Sequence, residues 1–234
     1  PFSGIPGDMF LIALGHLQDQ FSPSFMRNLE SGLLLHELGH NLGLTHGGAA
    51  PRPHGNRRPH YLSVMNYHFV PGFVRLVDPT HAEYFRYWDY SRFTSDALNE
   101  KRLDETVGVP APPADTVTQD ANADTLLGLA YCPDESLAAF FWNNTSRDWD
   151  CDETIDAARV KVDVTLDGLK NKLGRGQVNW EHLVFDGGGI AGRGAAMRSI
   201  FLDPRSEPDL PTLRRLIEEL PRARLSPADR PEIP

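Results

Sequence analysis

Apolar positions in this chain fall into short, separated runs, and the spacing within each run sets the element it predicts. Asp8-Met9-Phe10-Leu11-Ile12-Ala13-Leu14-Gly15 is apolar after its first residue, with glycines on either side. A run that short, built from Phe, Leu and Ile, predicts a buried strand over residues 8–15. Over Val160–Leu166, valines and a leucine alternate with Lys161, Asp163 and Thr165, the period of a half-buried strand. Thr212–Leu220 puts Leu213, Leu216, Ile217 and Leu220 on one face of a short amphipathic helix. Its surroundings, rich in proline and charge, read as a weakly docked or disordered tail. Pro110–Pro113 reads as a linker, and Gly187–Gly194 as a flexible loop lacking the Gly-Lys-Ser/Thr of a phosphate loop. No internal repeat is visible. The expected organisation is a domain over 1–109, a loop-rich region over 110–200 and a tail over 201–234.

One polar cluster interrupts this pattern: His36-Glu37-Leu38-Gly39-His40-Asn41-Leu42-Gly43-Leu44-Thr45-His46. On a helix, His36 and His40 are one turn apart and face the same way, so both can reach one metal ion. Glu37 lies beside them, placed to take a proton from water rather than to bind the metal. Gly43 can adopt a positive φ and end the helix, swinging the chain so that His46 returns to the ion. Three protein ligands leave a fourth zinc position open for water, the mark of a catalytic rather than a structural site. Zinc lowers the pKa of that water from about 15.7 towards 7. Glu37 is then placed to act on that water as a general base. The first two histidines alone could also be a polar helix face; Gly43 and His46 at their offsets argue against it.

Ser63-Val64-Met65-Asn66-Tyr67 follows after a short loop. Together with the histidine run it resembles the zinc helix and methionine turn of the metzincin zinc metallopeptidases. The resemblance covers about Gly7 to Gly108 and is most specific over Leu33–Gly48 and Leu62–Tyr67. It implies an α+β zincin-like catalytic domain that acts as a zinc-dependent endopeptidase on polypeptide substrates. In that likeness His36, His40 and His46 hold Zn2+, Glu37 is catalytic, and Met65 is an apolar floor beneath the metal. Tyr67 sits where astacin-like and serralysin-like members stabilise the oxyanion; an ordinary half-buried aromatic is the alternative. Gly47 and Gly48 after the third histidine depart from the named branches, while Asn41 and Leu42 resemble adamalysins. Leu-Ser-Val-Met-Asn-Tyr with the later Asp89-Tyr90-Ser91 is similar to a group of secreted bacterial metallopeptidases, which implies a secreted or extracellular protein. In the family, the strand before the zinc helix forms the cleft edge and pairs with substrate. That implies a substrate-binding role for Phe10, Leu11 and Ile12, against the alternative of a plain core strand. A specificity pocket is expected from the segment between Tyr67 and Asp89, with Phe69, Phe73, Phe85, Tyr87 and Trp88 as candidates. Only Pro1–Leu35 precede the zinc motif, so the upstream sheet of the family is expected to be reduced or missing.

Composition narrows the picture further. The chain has 234 residues, 40% of them hydrophobic, with a formal charge of -9. The acidic balance argues against a nucleic-acid partner, and no stretch approaches the roughly 20 apolar residues that span a bilayer. Cys132 and Cys151 form either one disulfide, contributing about 3 kcal/mol in the chain-entropy model, or two free thiols. Asn143-Asn144-Thr145-Ser146 holds overlapping acceptor patterns for N-glycosylation. Asp148, Asp150, Asp152 and Asp156 place carboxylates as calcium loops do, with Asp163, Asp167 and Gly168 available to complete a Ca2+ site; a solvated acidic turn is the alternative. Glu153 stands where such loops carry glycine. The histidines outside the motif, at 16, 54, 60, 68, 81 and 182, are expected at the surface. Two functions compete with the peptidase: a metal-binding interaction module, and a calcium-stabilised structural fragment without effective cleavage.

Overall fold

The computed structural model describes residues 2–5, 10–15, 21–49, 56–78, 83–109, 126–141, 146–184, 200–201 and 224–225. The expected linker at Pro110–Pro113, the glycine loop at Gly187–Gly194 and the helix at Thr212–Leu220 lie outside the described residues. So do Asn143, Asn144, Thr145, His16, His54 and His81. The strands are β1 (Phe2–Ile5), β2 (Phe10–Leu11), β3 (Leu44–Thr45), β4 (Gly48–Ala49), β5 (Phe73–Asp78), β6 (Glu83–Tyr87), β7 (Leu126–Tyr131), β8 (Leu137–Phe141), β9 (Ile200–Phe201) and β10 (Arg224–Leu225). With the helix α1 (Pro23–Asn41) they make an α+β arrangement. No described helix is long and apolar enough to cross a membrane.

Local chemistry fixes both ends of α1. Ser22 caps its start, the hydroxyl accepting from the Phe25 amide at 3.3 Å, and Pro23 fills the first turn, where a missing N–H costs nothing. Met26, Leu29 and Leu33 form a buried stripe that runs on into His36, Glu37 and His40. The candidate ligands thus continue the face that packs the core. Gly32 and Gly39 keep that face flush: a Cβ would lie 1.6 Å from the Val70 carbonyl oxygen at Gly32 and 2.3 Å from Met65 Sδ at Gly39.

The expected strand over 8–15 shrinks to β2, which pairs antiparallel with β1 at the edge of a sheet ordered β2-β1-β9. Beyond Leu11 the chain leaves the ladder, yet Ile12 and Leu14 pack against the Met26, Leu29, Leu33, Tyr67 and Val70 cluster while Ala13 is exposed. A larger sheet runs β10-β8-β7-β5-β6, antiparallel except where β10 joins β8. Its main apolar cluster joins Leu62, Phe69, Phe93, Leu103 and Val109 to Phe140, Trp149, Val162, Val164 and Leu173, across the expected boundary at 109. The disulfide forms between Cys132 and Cys151, with Cα atoms 5.7 Å apart.

Val160–Leu166 is not a strand. Only Val160 bridges, to Leu103, although Val162 and Val164 are buried as the alternation predicts. The reason is a carboxylate that replaces the ladder: Glu100 Oε1 takes the Val164 amide at 3.0 Å and Oε2 takes that of Asn171 at 3.0 Å. The same device holds the preceding loop, where Glu105 Oε1 takes the Trp149 amide at 2.6 Å and Oε2 that of Asp156 at 2.9 Å. Asp148 Oδ2 accepts from the Glu153 amide as Asp163 Oδ2 accepts from that of Gly168. The match extends to the backbone, where Arg147 N–H donates to the Glu105 carbonyl and Val162 N–H to that of Glu100. Cys151 and Leu166 share a left-handed φ, as do Glu153 and Gly168. These two loops are a repeat in geometry, invisible in the sequence because few residue types coincide.

Candidate metal centre

The three imidazoles reach one point by different routes. His36 and His40 project from the last turns of α1, and the helix ends at Leu42, where Gly43 takes φ +90. The chain then enters the β3–β4 hairpin, with Thr45 paired to Gly48, so His46 sits at its two-residue tip. One ligand atom from each of His36, His40 and His46 lies within 4.8 Å of the others, a cluster that could hold a metal ion.

The hydrogen bonds decide what those rings offer. His36 Nδ1 lies 2.8 Å from the Val64 carbonyl oxygen, and His40 Nδ1 lies 2.8 Å from that of Leu44. A carbonyl only accepts, so each Nδ1 carries a proton, and Nε2 is the atom each ring turns towards the other. The two Nε2 atoms stand 3.1 Å apart. Two ring nitrogens at that separation either share one proton in a hydrogen bond or hold a cation between them. Two nitrogens bound tetrahedrally to zinc at about 2.0–2.1 Å would be roughly 3.3 Å apart. A backbone carbonyl on the second ring nitrogen is also the usual support of a metal-bound histidine. The residues present therefore fit a divalent metal.

Glu37 is fully buried. Tyr67 is 3% exposed, its ring centroid 4.6 Å from that of His46 and 5.6 Å from that of His36. Its amide donates to Asn56 Oδ1 at 2.9 Å. Met65 is buried with Leu44, Tyr61, Val64 and Tyr90 directly under Gly39. The side chains of Phe10, Leu11, Phe73, Phe85 and Tyr87 lie outside the described residues, and Ile12 faces the helix core. Phe69 is buried in the main core, and Trp88 donates from Nε1 to the Val70 carbonyl.

The acidic residues separate into two sets rather than one. Glu105, Asp148 and Asp150, with Asp150, Asp152 and Asp156, make the first; Asp163 and Asp167 join Glu100 in a second instead of completing the first. Burial pushes the Glu100, Glu105 and Asp150 carboxyls above their ordinary values, with neighbouring aspartates adding to it. Glu100 and Glu105 were missed by reading the loops alone; the tandem Leu98-Asn99-Glu100 and Leu103-Asp104-Glu105 is the signal that marks them. His60 and His68 are buried, against the surface expectation, while His182 is exposed. Burial, chiefly, lowers the pKa of His60 to about 4 and that of His68 to about 3. No family model, no curated protein and no solved structure matches this chain.

Proposed function

We propose that the protein is a zinc-dependent endopeptidase of metzincin type, hydrolysing extended polypeptides outside the cytoplasm. The observation that carries this reading is the convergence of His36, His40 and His46, with the first two Nε2 atoms 3.1 Å apart and a carbonyl behind each of those two rings. Zinc held there supplies Lewis acidity and an acidic bound water. Glu37, adjacent in sequence to His36 and buried with it, accepts the proton of the attacking water and returns it to the leaving amine. Tyr67, packed on His46, donates to the oxyanion as the carbonyl becomes tetrahedral. The edge position of β2 supports a main-chain pairing site for substrate at residues 10–12. The disulfide supports an oxidising, extracellular setting. The paired acidic loops, with their carboxylates already gathered, support structural calcium.

Complete burial of His36, Glu37 and His40 favours a second reading, a metal-binding module without turnover. Cleavage of unfolded casein, assayed with and without a zinc chelator alongside elemental analysis, separates the two. The peptidase reading expects chelator-sensitive cleavage and one zinc per chain. Bound zinc with no cleavage points to the module.

A further inference from the structure

We infer that Asn179 is a positioning residue for the metal centre, acting through a strap, residues 177–184, laid across its three supports. The inference rests on the metal reading of the histidines but concerns residues that no motif contains. Asn179 is fully buried, and its orientation is fixed because Oδ1 accepts from the Ser91 amide, which can only donate, at 3.0 Å. The same oxygen accepts from the Ser63 hydroxyl at 2.6 Å and the Tyr61 hydroxyl at 2.9 Å. Ser63 Oγ in turn accepts from the Met65 amide at 3.1 Å. Between Ser63 and Met65 stands Val64, whose carbonyl receives the proton of His36 Nδ1. Asn179 thus holds the turn that aims the His36 ring.

Two further ties bracket the other ligands. Gln177 Oε1 accepts from the Ala49 amide at 2.7 Å, just beyond the hairpin tip that carries His46. Gly48 leaves room for it, since a Cβ there would lie 2.2 Å from Gln177 Oε1. Val184 N–H donates to the Leu42 carbonyl at 2.8 Å, on the helix exit after His40. Each ligand therefore has one strap contact behind it, and Leu183 packs into the cluster under the site.

The test uses the full chain and reads metal affinity, not cleavage. Zinc affinity is measured by competition with a chromophoric chelator, and the visible spectrum is recorded with cobalt in place of zinc. Asn179→Ala should weaken zinc binding about 10–100-fold, the usual effect of losing a ligand's outer support, and alter the cobalt spectrum. Asn179→Asp keeps the oxygen facing Ser63, Tyr61 and Ser91 and should stay within a few-fold of the parent. Leu173→Ala, in the other core, should lower the melting temperature and leave affinity unchanged. Parent-like affinity in Asn179→Ala, or equal weakening in Leu173→Ala, overturns the positioning role. If Asn179→Ala does not fold, Gln177→Ala decides: a measurable weakening supports the strap and parent-like affinity overturns it. No zinc binding by the unsubstituted chain would sink the metal reading itself, a distinct outcome.

Discussion

At the histidine centre, backbone carbonyls hold the candidate ligand side chains; in the 148–171 loops, carboxylate side chains hold the backbone. His36 and His40 are aimed by the carbonyls of Val64 and Leu44, on a helix and hairpin whose own hydrogen bonds do not need them. Glu105 and Glu100 instead take amides that no ladder would otherwise satisfy. The contrast teaches where damage should appear. Changing the chemistry at the first region should cost function and spare the fold, whereas removing an acid at the second should cost the fold itself.

The largest effect that sharpens this contrast is expected from Glu37→Gln. On the peptidase reading Glu37 is the general base, and its loss should cut cleavage by about 10²–10⁴-fold while bound zinc stays at the parent level. Full cleavage by this variant would remove Glu37 from the chemistry. Next comes Glu105→Ala, which strands the amides of Trp149, Asp150 and Asp156. Only the Trp149 amide bond is buried and the other two are partly exposed, so the loss should be about 1–3 kcal/mol. The unfolding midpoint in urea reports it, and a loss below about 1 kcal/mol would mean the loop does not depend on that carboxylate.

Acid should act on His60 and on the loop glutamates in opposite directions. His60 is held neutral down to about 4, whereas an unfolded histidine takes its proton near the ordinary 6.5. Its contribution is present above about 6.5 and is lost as the pH falls towards 4, worth about 3 kcal/mol. Glu100 and Glu105 run the other way: with raised values, they gain protons more readily when folded. Their ionised forms oppose folding, and that opposition lifts as the pH falls through the raised values towards 4.5. His60→Gln keeps a donor for the Gly174 carbonyl, which His60 Nε2 now serves at 2.8 Å, and should flatten the acid loss of stability. An unchanged pH profile would assign the acid sensitivity elsewhere. The smallest effect belongs to Gly168→Ala. Nothing lies within 4 Å of the added Cβ, so only the positive φ of +82 is penalised, at about 1–2 kcal/mol. Gly32→Ala, with its Cβ driven onto the Val70 carbonyl, should unfold the chain at far milder denaturant.

The centre was legible in the sequence because its ligands ride on one helix and its exit, where spacing translates directly into direction. The apolar face of Met26, Leu29 and Leu33 obeys the same period. Legibility failed where a side chain from a distant segment does the ordering. Val160–Leu166 shows a strand's alternation, but Glu100 supplies the partner that a strand would have needed. His60 reads as polar and is buried because the Gly174 carbonyl meets it from far along the chain. Asn179 carries no local signal at all, since its meaning lies in Tyr61, Ser63 and Ser91. Glycines 32 and 39 are partly readable, spaced to share a helix face, yet only the Val70 and Met65 contacts explain them.

The central claim, that three imidazoles share one ion with a position left over, is tested most directly by X-ray absorption on the zinc-loaded chain. The account predicts three histidine nitrogens at about 2.0–2.1 Å and one further light-atom ligand, falling to fewer nitrogens in His46→Ala. A spectrum dominated by carboxylate oxygens, or one unchanged in His46→Ala, would place the metal elsewhere and contradict it.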